Sequence, residues 1–236
     1  LIFQIGMRKT INKLISKIKG EKYIISDDIP LKYLISIIFR RLVMLIRGCL
    51  TICEKEGCFF RGSKVKMYCK SKIKIGKGVS IDRGCYLDAL SSDGIIIGKN
   101  SSMGKYTVIE CSGSIKDIGK GIFTGENVSL GANGFFGCAG GIKIGDNTIM
   151  GNFISFHSEN HIFSSRKTPI RTQGVNREGI IIGKDCWIGA KATILDGVVV
   201  ENGCIIAAGA LLTKGKYEAY GIYGGIPAKL LKFRKD

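Results

Sequence analysis

At 236 residues the chain has room for one elongated domain with terminal attachments, and 33 Gly against 3 Pro suits a strand-and-corner solenoid better than a helical bundle. The formal net charge of +17 is unevenly placed: residues 1–75 carry 17 Lys+Arg against 5 Asp+Glu, residues 76–213 carry 13 against 12, and residues 214–236 carry 6 against 2. Basic ends around a near-neutral body disfavour a nucleic-acid reader, which would present Lys, Arg and stacking aromatics along its working face, and suggest anionic lipid or a phosphate-bearing cofactor.

The chain opens with LIFQIG, too brief for a secretory-signal core, and Met7 offers a natural start, so no cleavable signal is expected. From Met7 to Gly20 an amphipathic helix is predicted, with Ile11, Leu14, Ile15 and Ile18 on one face among lysines. A second helix starts from Pro30 and runs towards Cys53. Arg40, Arg41 and Arg47 make it a poor membrane span, since each charge near the bilayer centre costs about 2.5–3.5 kcal/mol on insertion scales. Two readings stand side by side: the helices cap the open end of a solenoid, or they cap it and also lie on a membrane surface.

Alternation between Gly57 and Lys74 reads as strands entering a solenoid. The clearest signal comes later, from Ile182 to Leu212, where Ile182, Ile188, Ile194, Val200, Ile206 and Leu212 recur every six residues without a break. Each six-residue unit supplies a short parallel strand and a corner, three units close a triangular coil, and the aliphatic first places stack into a core. Small fifth places, at Cys186, Ala192, Cys204 and Ala210, fit inside the corners.

The same register appears earlier at Ile75, Ile81 and Leu87, at Ile97, Met103, Ile109 and Ile115, at Ile118, Thr124 and Leu130, and at Ile144, Met150 and Phe156. Gly78, Gly84, Asn100, Gly121, Asn127, Asn133, Asn147 and Gly203 are the predicted corners, where positive φ is easiest. Loops or widened corners are expected at Asp88–Ile95, near Asp117 and at Gly134–Gly141. The longest interruption follows Phe156 and holds both histidines of the chain, His157 and His161. Loops of that length in a regular array are usually functional or disordered.

Beyond Leu212 the repeat stops, and Pro227 is predicted to start a short basic helix over the last coil. Three segments follow: 1–63, a helical cap or membrane-surface segment; 64–213, the β-helix with a protruding loop at 157–181; and 214–236, a basic tail. Nine cysteines without a CxxC pair or clustering with His point to reduced structural thiols and a reducing compartment.

From about Ile73 to Lys232 the chain resembles the hexapeptide-repeat acyltransferases. The likeness is carried by the sixfold repeats, the His-bearing loop, the resumption at WIGAKATILDGV, and then AAGALLTK and GGIPAKLL. It is most similar to the sugar O-acetyltransferases, nearest those of surface-polysaccharide synthesis. The resemblance implies a mainly β fold, a left-handed parallel β-helix with N-terminal helices, and a homotrimer with sites between subunits. It implies acetyl-CoA as donor without a metal, and a sugar or glycan acceptor, lipid-linked or free.

By that resemblance His161 is the general base and Asn133 approaches the reacting centre. The relatives often have His-Pro here, whereas this chain has ENHIF, so His157 is a second candidate with a supporting or sugar-contacting role. The backbone N–H of Ala190 is the implied oxyanion donor. Trp187 lines the pantetheine channel or packs on a neighbouring subunit. Gly189, Ala207, Ala208, Thr213 and Lys214 are implied to hold coenzyme A, with Lys229 and Lys232 near its phosphates or on a solvated face.

The chemistry agrees: a sugar hydroxyl attacking a thioester needs a base titrating near neutrality, which imidazole supplies. Its second ring nitrogen needs an acceptor, for which Glu159 or a backbone carbonyl is available. A γ-type carbonic anhydrase would need three His ligands, and the chain has two in all. A nucleotidyltransferase would need a Gly-rich phosphate loop near the N-terminus, and none is present. Acyl transfer to serine or an amino sugar, and a non-enzymatic solenoid scaffold, remain open. No nucleic-acid partner is expected, and the location follows as cytoplasmic, peripheral to the inner membrane face if the helices bind lipid.

Overall fold

The computed structural model describes residues 11–13, 16, 24–26 and 28–235. It divides into two units, Leu1–Val43 and Met44–Asp236. In the first, residues 11–13 and 16 are helical, and the rest of the predicted Met7–Gly20 helix lies outside the described residues. A 19-residue helix, Leu31–Cys49, starts one residue after Pro30 and runs across the boundary. It is capped at its end by Lys55, whose ammonium donates to the carbonyls of Gly48, Cys49 and Thr51 at 3.2, 2.6 and 3.0 Å. A cation over the last carbonyls satisfies otherwise unpaired acceptors.

The second unit is a left-handed parallel β-helix with three faces. An eight-stranded sheet runs Glu54–Lys55, Ile73–Ile75, Ser91–Ile97, Gly119–Thr124, Ile142–Ile144, Ile180–Ile182, Val198–Val200 and Gly215–Tyr217. A seven-stranded sheet runs Lys66–Tyr68, Tyr86–Asp88, Val108–Glu110, Phe135–Gly137, Ser155–His157, Thr193–Leu195 and Leu211–Leu212. The third face joins a three-stranded and a five-stranded sheet through bridges at Ser129. The coil stack therefore begins at Glu54, ten residues before the expected boundary, and Phe59 is already fully buried in its core.

All six first places from Ile182 to Leu212 are buried, as are Ile75, Ile81, Leu87, Ile97, Met103, Ile109, Thr124, Leu130, Ile144, Met150 and Phe156. Phe136 stacks on Phe156 at 5.0 Å between ring centroids. The eight predicted corners all have positive φ, with Asn100, Asn127, Asn133 and Asn147 between 54° and 59°. Ile115 and Ile118 are exposed instead, because they lie on an insertion; the next coil takes Ile122 into its core. Every departure from six-residue spacing falls at one edge, where the chain passes from the seven-stranded to the eight-stranded sheet, so the loops after Asp88, Glu110, Gly137 and His157 share that edge. Phe135–Gly137, within the expected Gly134–Gly141 loop, is a strand with Phe136 in the core.

The predicted C-terminal helix is not formed. Lys229–Phe233 is a strand, antiparallel to Gly221–Gly224. The last coil leaves a strand edge unpaired, and this hairpin satisfies it, which outweighs the local preference of Pro227 for a first helical position. All nine cysteines are free; five are buried in the coils, and burial pushes the Cys85 and Cys186 thiols up to about 11.

Candidate active site

The long loop leaves the seven-stranded sheet at His157 and enters the eight-stranded sheet at Ile180. Its two arms pair antiparallel, Asn160 opposite Asn176 and His161 opposite Val175. Near the tip, the Gln173 amide accepts from the Ser165 N–H at 3.0 Å and donates to the carbonyls of Ser165 and Thr168 at 2.9 and 2.7 Å. Internal pairing of this kind gives a loop without a hydrophobic core a defined path.

Two charged groups fix its root. Arg177 donates to Glu159 at 2.6 Å and to Asp117 at 2.9 Å, tying the loop to the neighbouring insertion. Burial lowers the Arg177 pKa, and the two carboxylates more than offset that, so the net shift is upward. Asp196, 2% exposed, accepts from the N–H groups of Glu178 and Gly179, the latter at 2.7 Å. Glu178 in turn pairs with Lys214 at 2.7 Å.

His161 is exposed over a cavity of about 430 Å³ lined by Asn160, Ile162, Phe163, Glu178 and Asp196 among others. His157 lies on the sheet itself, its Nε2 2.7 Å from Ser155 Oγ and its ring 5.5 Å from that of Phe135. Partial burial lowers its pKa. The two imidazoles thus belong to different surroundings, one at the loop edge and one on a sheet face beside Ser155 and Phe135. Glu159, a suggested partner for the imidazole of the base, is engaged by Arg177 instead, and among the described residues it bonds neither His. Asn133 is an exposed corner residue with φ 54°, and no hydrogen bond joins its side chain to His157 or His161.

The residues assigned to coenzyme A fall into two groups. Thr213 and Lys214 share the loop edge with His161: the Thr213 N–H donates to Tyr217 Oη at 3.1 Å, and Lys214 reaches Glu178. Trp187, 52% exposed, stands on the third face between Ile149 and Ile205. Gly189 rests on the next coil so closely that a Cβ there would lie 2.5 Å from the Ala208 nitrogen. Ala207 packs beneath Gly224, against the hairpin that carries Lys229 and Lys232.

Ala190 sits at the adjoining corner, where its amide has no acceptor among the described residues. The equivalent amide of Ala132 donates to Asn152 Oδ1 at 2.9 Å. One coil later the stacked residue is Ala208, whose methyl cannot accept, so the Ala190 N–H stays open to a ligand. Within one chain, therefore, the open amide and the third-face residues stand on one side of the seven-stranded sheet, and His161 stands on the other.

Asp196, Arg177 and Ser155 were not singled out from the sequence. Asp196 reads there as an ordinary corner residue before Gly197, and a partner for Arg177 at Asp117 cannot be inferred without the coil stacking.

Residues 179–214 match the family described as bacterial transferase hexapeptide (six repeats). Relatives include a probable acetyltransferase of Mycobacterium tuberculosis, 32% identical over 93 residues, 39% of this chain and 31% of the relative. A chloramphenicol acetyltransferase of Agrobacterium fabrum is 46% identical over 56 residues, 24% of this chain and 26% of the relative. A putative lipopolysaccharide biosynthesis O-acetyl transferase of Escherichia coli, WbbJ, is 25% identical over 96 residues, 38% of this chain and 48% of the relative. The chain thus spans between about a quarter and a half of these relatives' length. Among solved structures, AntD, an N-acyltransferase of Bacillus cereus crystallised with an amino-sugar nucleotide and coenzyme A, shares the fold at 20% identity and a TM-score of 0.51, over 81% of this chain and 88% of that one.

Proposed function

We propose that the chain is an acetyl-CoA-dependent O-acetyltransferase acting on a sugar hydroxyl of a surface-polysaccharide precursor. The observation that carries the reading is the loop inserted directly before the matching repeats, which holds His161 exposed over a cavity at its root. His161 would take the proton of the acceptor hydroxyl as its oxygen attacks the thioester carbonyl. The oxyanion forms towards the open Ala190 N–H. Collapse breaks the C–S bond, the thiolate leaves with the proton from the imidazolium, and the products are a sugar acetate and free coenzyme A. Trp187, Gly189, Ala207 and Ala208 offer an apolar wall with small residues for the pantetheine arm, and Lys229 and Lys232 offer cations for the phosphates.

Because Ala190 and His161 lie on opposite sides of one sheet, the reading includes assembly: a neighbouring subunit's loop completes each site, as a homotrimer does by cyclic symmetry. The likeness to a lipopolysaccharide O-acetyl transferase supports a glycan acceptor. The likeness to a chloramphenicol acetyltransferase favours a second reading, the same transfer to a small hydroxyl compound. The helices add a proposal of location, on the inner membrane face near lipid-linked glycans under assembly.

The test is kinetic. His161→Ala is expected to lower turnover by about a hundredfold or more and to leave coenzyme A affinity unchanged, with a smaller loss for His157→Ala. An inactive His157→Ala beside an active His161→Ala would reverse the assignment. Thiol release measured over a panel of glycans and small hydroxyl compounds separates the two acceptor readings.

A further inference from the structure

We infer that Cys49 and Cys58 form a reversible dithiol–disulfide site, oxidised by a low-molecular-weight disulfide, that clasps the end of the long helix to the first coil. Of the nine thiols, five are buried in the coils, where the core shields them. The other four, Cys49, Cys53, Cys58 and Cys69, fall in or beside the first coil, and two of them touch: the Cys49 thiol donates to Cys58 Sγ at 3.7 Å. Both are exposed, and both belong to the second unit.

Backbone packing puts them there. Cys49 is the last residue of Leu31–Cys49, and Cys58 directly precedes Phe59, which is fully buried in the core. Gly48 rests on the Phe59 backbone: a Cβ on it would stand 1.9 Å from the Phe59 carbonyl oxygen, so only glycine allows that approach. Each cysteine is the chain neighbour of one partner in this contact. Lys55 holds the intervening turn through the carbonyls of Gly48, Cys49 and Thr51, and the Thr51 hydroxyl donates to the Arg47 carbonyl at 2.8 Å. On the other side the Cys58 carbonyl accepts from the Gly78 N–H at 2.9 Å, which ties its corner to the next coil.

The pair stays open on assembly. Cys58 lies at the corner between Glu54–Lys55 of the eight-stranded sheet and Phe60–Arg61 of the third face. That corner carries neither the long loop nor Ala190, so the trimer proposed above leaves it facing solvent. The remaining two thiols are placed differently. Cys53 is packed against the core and burial raises its pKa, and Cys69 lies at the loop edge between Lys66–Tyr68 and Ile73–Ile75.

A disulfide bond is about 2.05 Å long, so the sulfurs approach by less than about 2 Å from 3.7 Å, a movement within reach of χ1 rotation. The contact with Cys58 is the largest cause that raises the Cys49 pKa, and Lys55 opposes it. A thiolate at a helix C-terminus also meets the negative end of the macrodipole. Cys49 therefore keeps its proton, and Cys58 presents the attacking sulfur. As thiolate, Cys58 attacks one sulfur of the small disulfide, whose S–S bond breaks and releases one thiolate. Cys49 then loses its proton and attacks the Cys58 sulfur of the mixed disulfide, and the second thiolate leaves. Two electrons pass from the pair to the small disulfide, which departs as two thiols carrying the two protons. Excess small thiol runs the exchange backwards.

The consequence is local. The terminal coil of a stack has a neighbour on a single side, and a bond across residues 49–58 removes the open conformations of the segment that leads into it.

The test treats the full chain with graded ratios of glutathione disulfide to glutathione, alkylates the remaining thiols and maps tryptic peptides without reduction. Cleavage after Arg47, Lys55 and Arg61 gives Gly48–Lys55 and Glu56–Arg61, and their linkage is expected to be the main disulfide, reversed by dithiothreitol. Gly48–Lys55 also holds Cys53, so Cys53→Ser should keep the link and Cys49→Ser should abolish it. Hydrogen exchange over residues 50–60 is expected to slow about tenfold or more on oxidation of the parent and to stay unchanged in Cys49→Ser. A chain that stops as a stable glutathione adduct of Cys58, or that links chiefly through Cys53 or Cys69, would overturn the site. Linkage of Cys49 to Cys58 without slower exchange would overturn the clasp.

Discussion

Asp196 controls how the long loop rejoins the coil, because its buried carboxylate is the acceptor for two successive amides, those of Glu178 and Gly179. In Asp196→Ala those part-buried amides lose their partner, and a donor left unsatisfied costs up to about 1–3 kcal/mol. Urea unfolding should therefore show a loss of that order, with Asp196→Asn between the two because one acceptor oxygen remains. Turnover should fall as well, since Glu178 and His161 line the same cavity. An unchanged midpoint for Asp196→Ala would mean that solvent replaces the carboxylate. His157 gives a pH signature. Burial holds its pKa below the ordinary 6.5, so the unfolded chain binds the proton first as pH falls. The stabilisation is present above about pH 6.5 and is lost as pH drops through the folded value. A His157→Gln variant should show a flatter melting temperature below pH 6.5 than the parent, and identical slopes would remove His157 as the group responsible.

At the scale of elements, the coil positions were legible wherever spacing is strict, because a one-place slip would turn an aliphatic first place outward. Ile182 to Leu212 show this, and the asparagine corners follow from the local ease of positive φ. Ile115 and Ile118 failed because an insertion of arbitrary length lets a six-residue count resume by accident. Of the site, both histidines were visible as the polar break in the repeat, and their separation into two environments was not, since it depends on which coil lies beneath each. The latch of the loop was equally hidden: Arg177 meets Glu159 from its own loop and Asp117 from another. Arg177→Ala leaves Glu159 partly buried and unpaired, the circumstance in which breaking an ion pair costs more than the pair contributes. Limited proteolysis is expected to nick residues 158–179 several times faster in this variant, with the coils intact. A second substitution, Glu159→Gln, should restore part of the protection by removing the unpaired charge. Unchanged proteolysis would show that the Gln173 and antiparallel contacts hold the loop alone.

For the whole molecule, the proposed location rests on the long helix. Ile35, Phe39, Leu42 and Ile46 recur at helical spacing and are all exposed, with Arg40, Arg41 and Arg47 on the same element. No helix among the described residues is long and apolar enough to cross a bilayer. An apolar stripe beside cations suits the interface of an anionic membrane, where each basic residue near the surface contributes about 1 kcal/mol and the attraction weakens with salt. Truncation is a poor test, because coils start at Glu54 and Phe59 is part of their core. Substitution is cleaner: Ile35→Glu, Phe39→Glu and Leu42→Glu together remove the stripe and leave the second unit whole. The parent chain should float with vesicles rich in phosphatidylserine or phosphatidylglycerol at low salt and much less at high salt. The triple variant should stay with the soluble fraction while keeping the acetyl-CoA activity and the trimeric mass proposed above, the latter read by light scattering. Flotation of the variant equal to the parent would assign lipid contact to other surfaces. If neither floats, and the variant loses its trimeric mass, the stripe serves contacts between protein surfaces, and an acceptor free in solution becomes the one to seek.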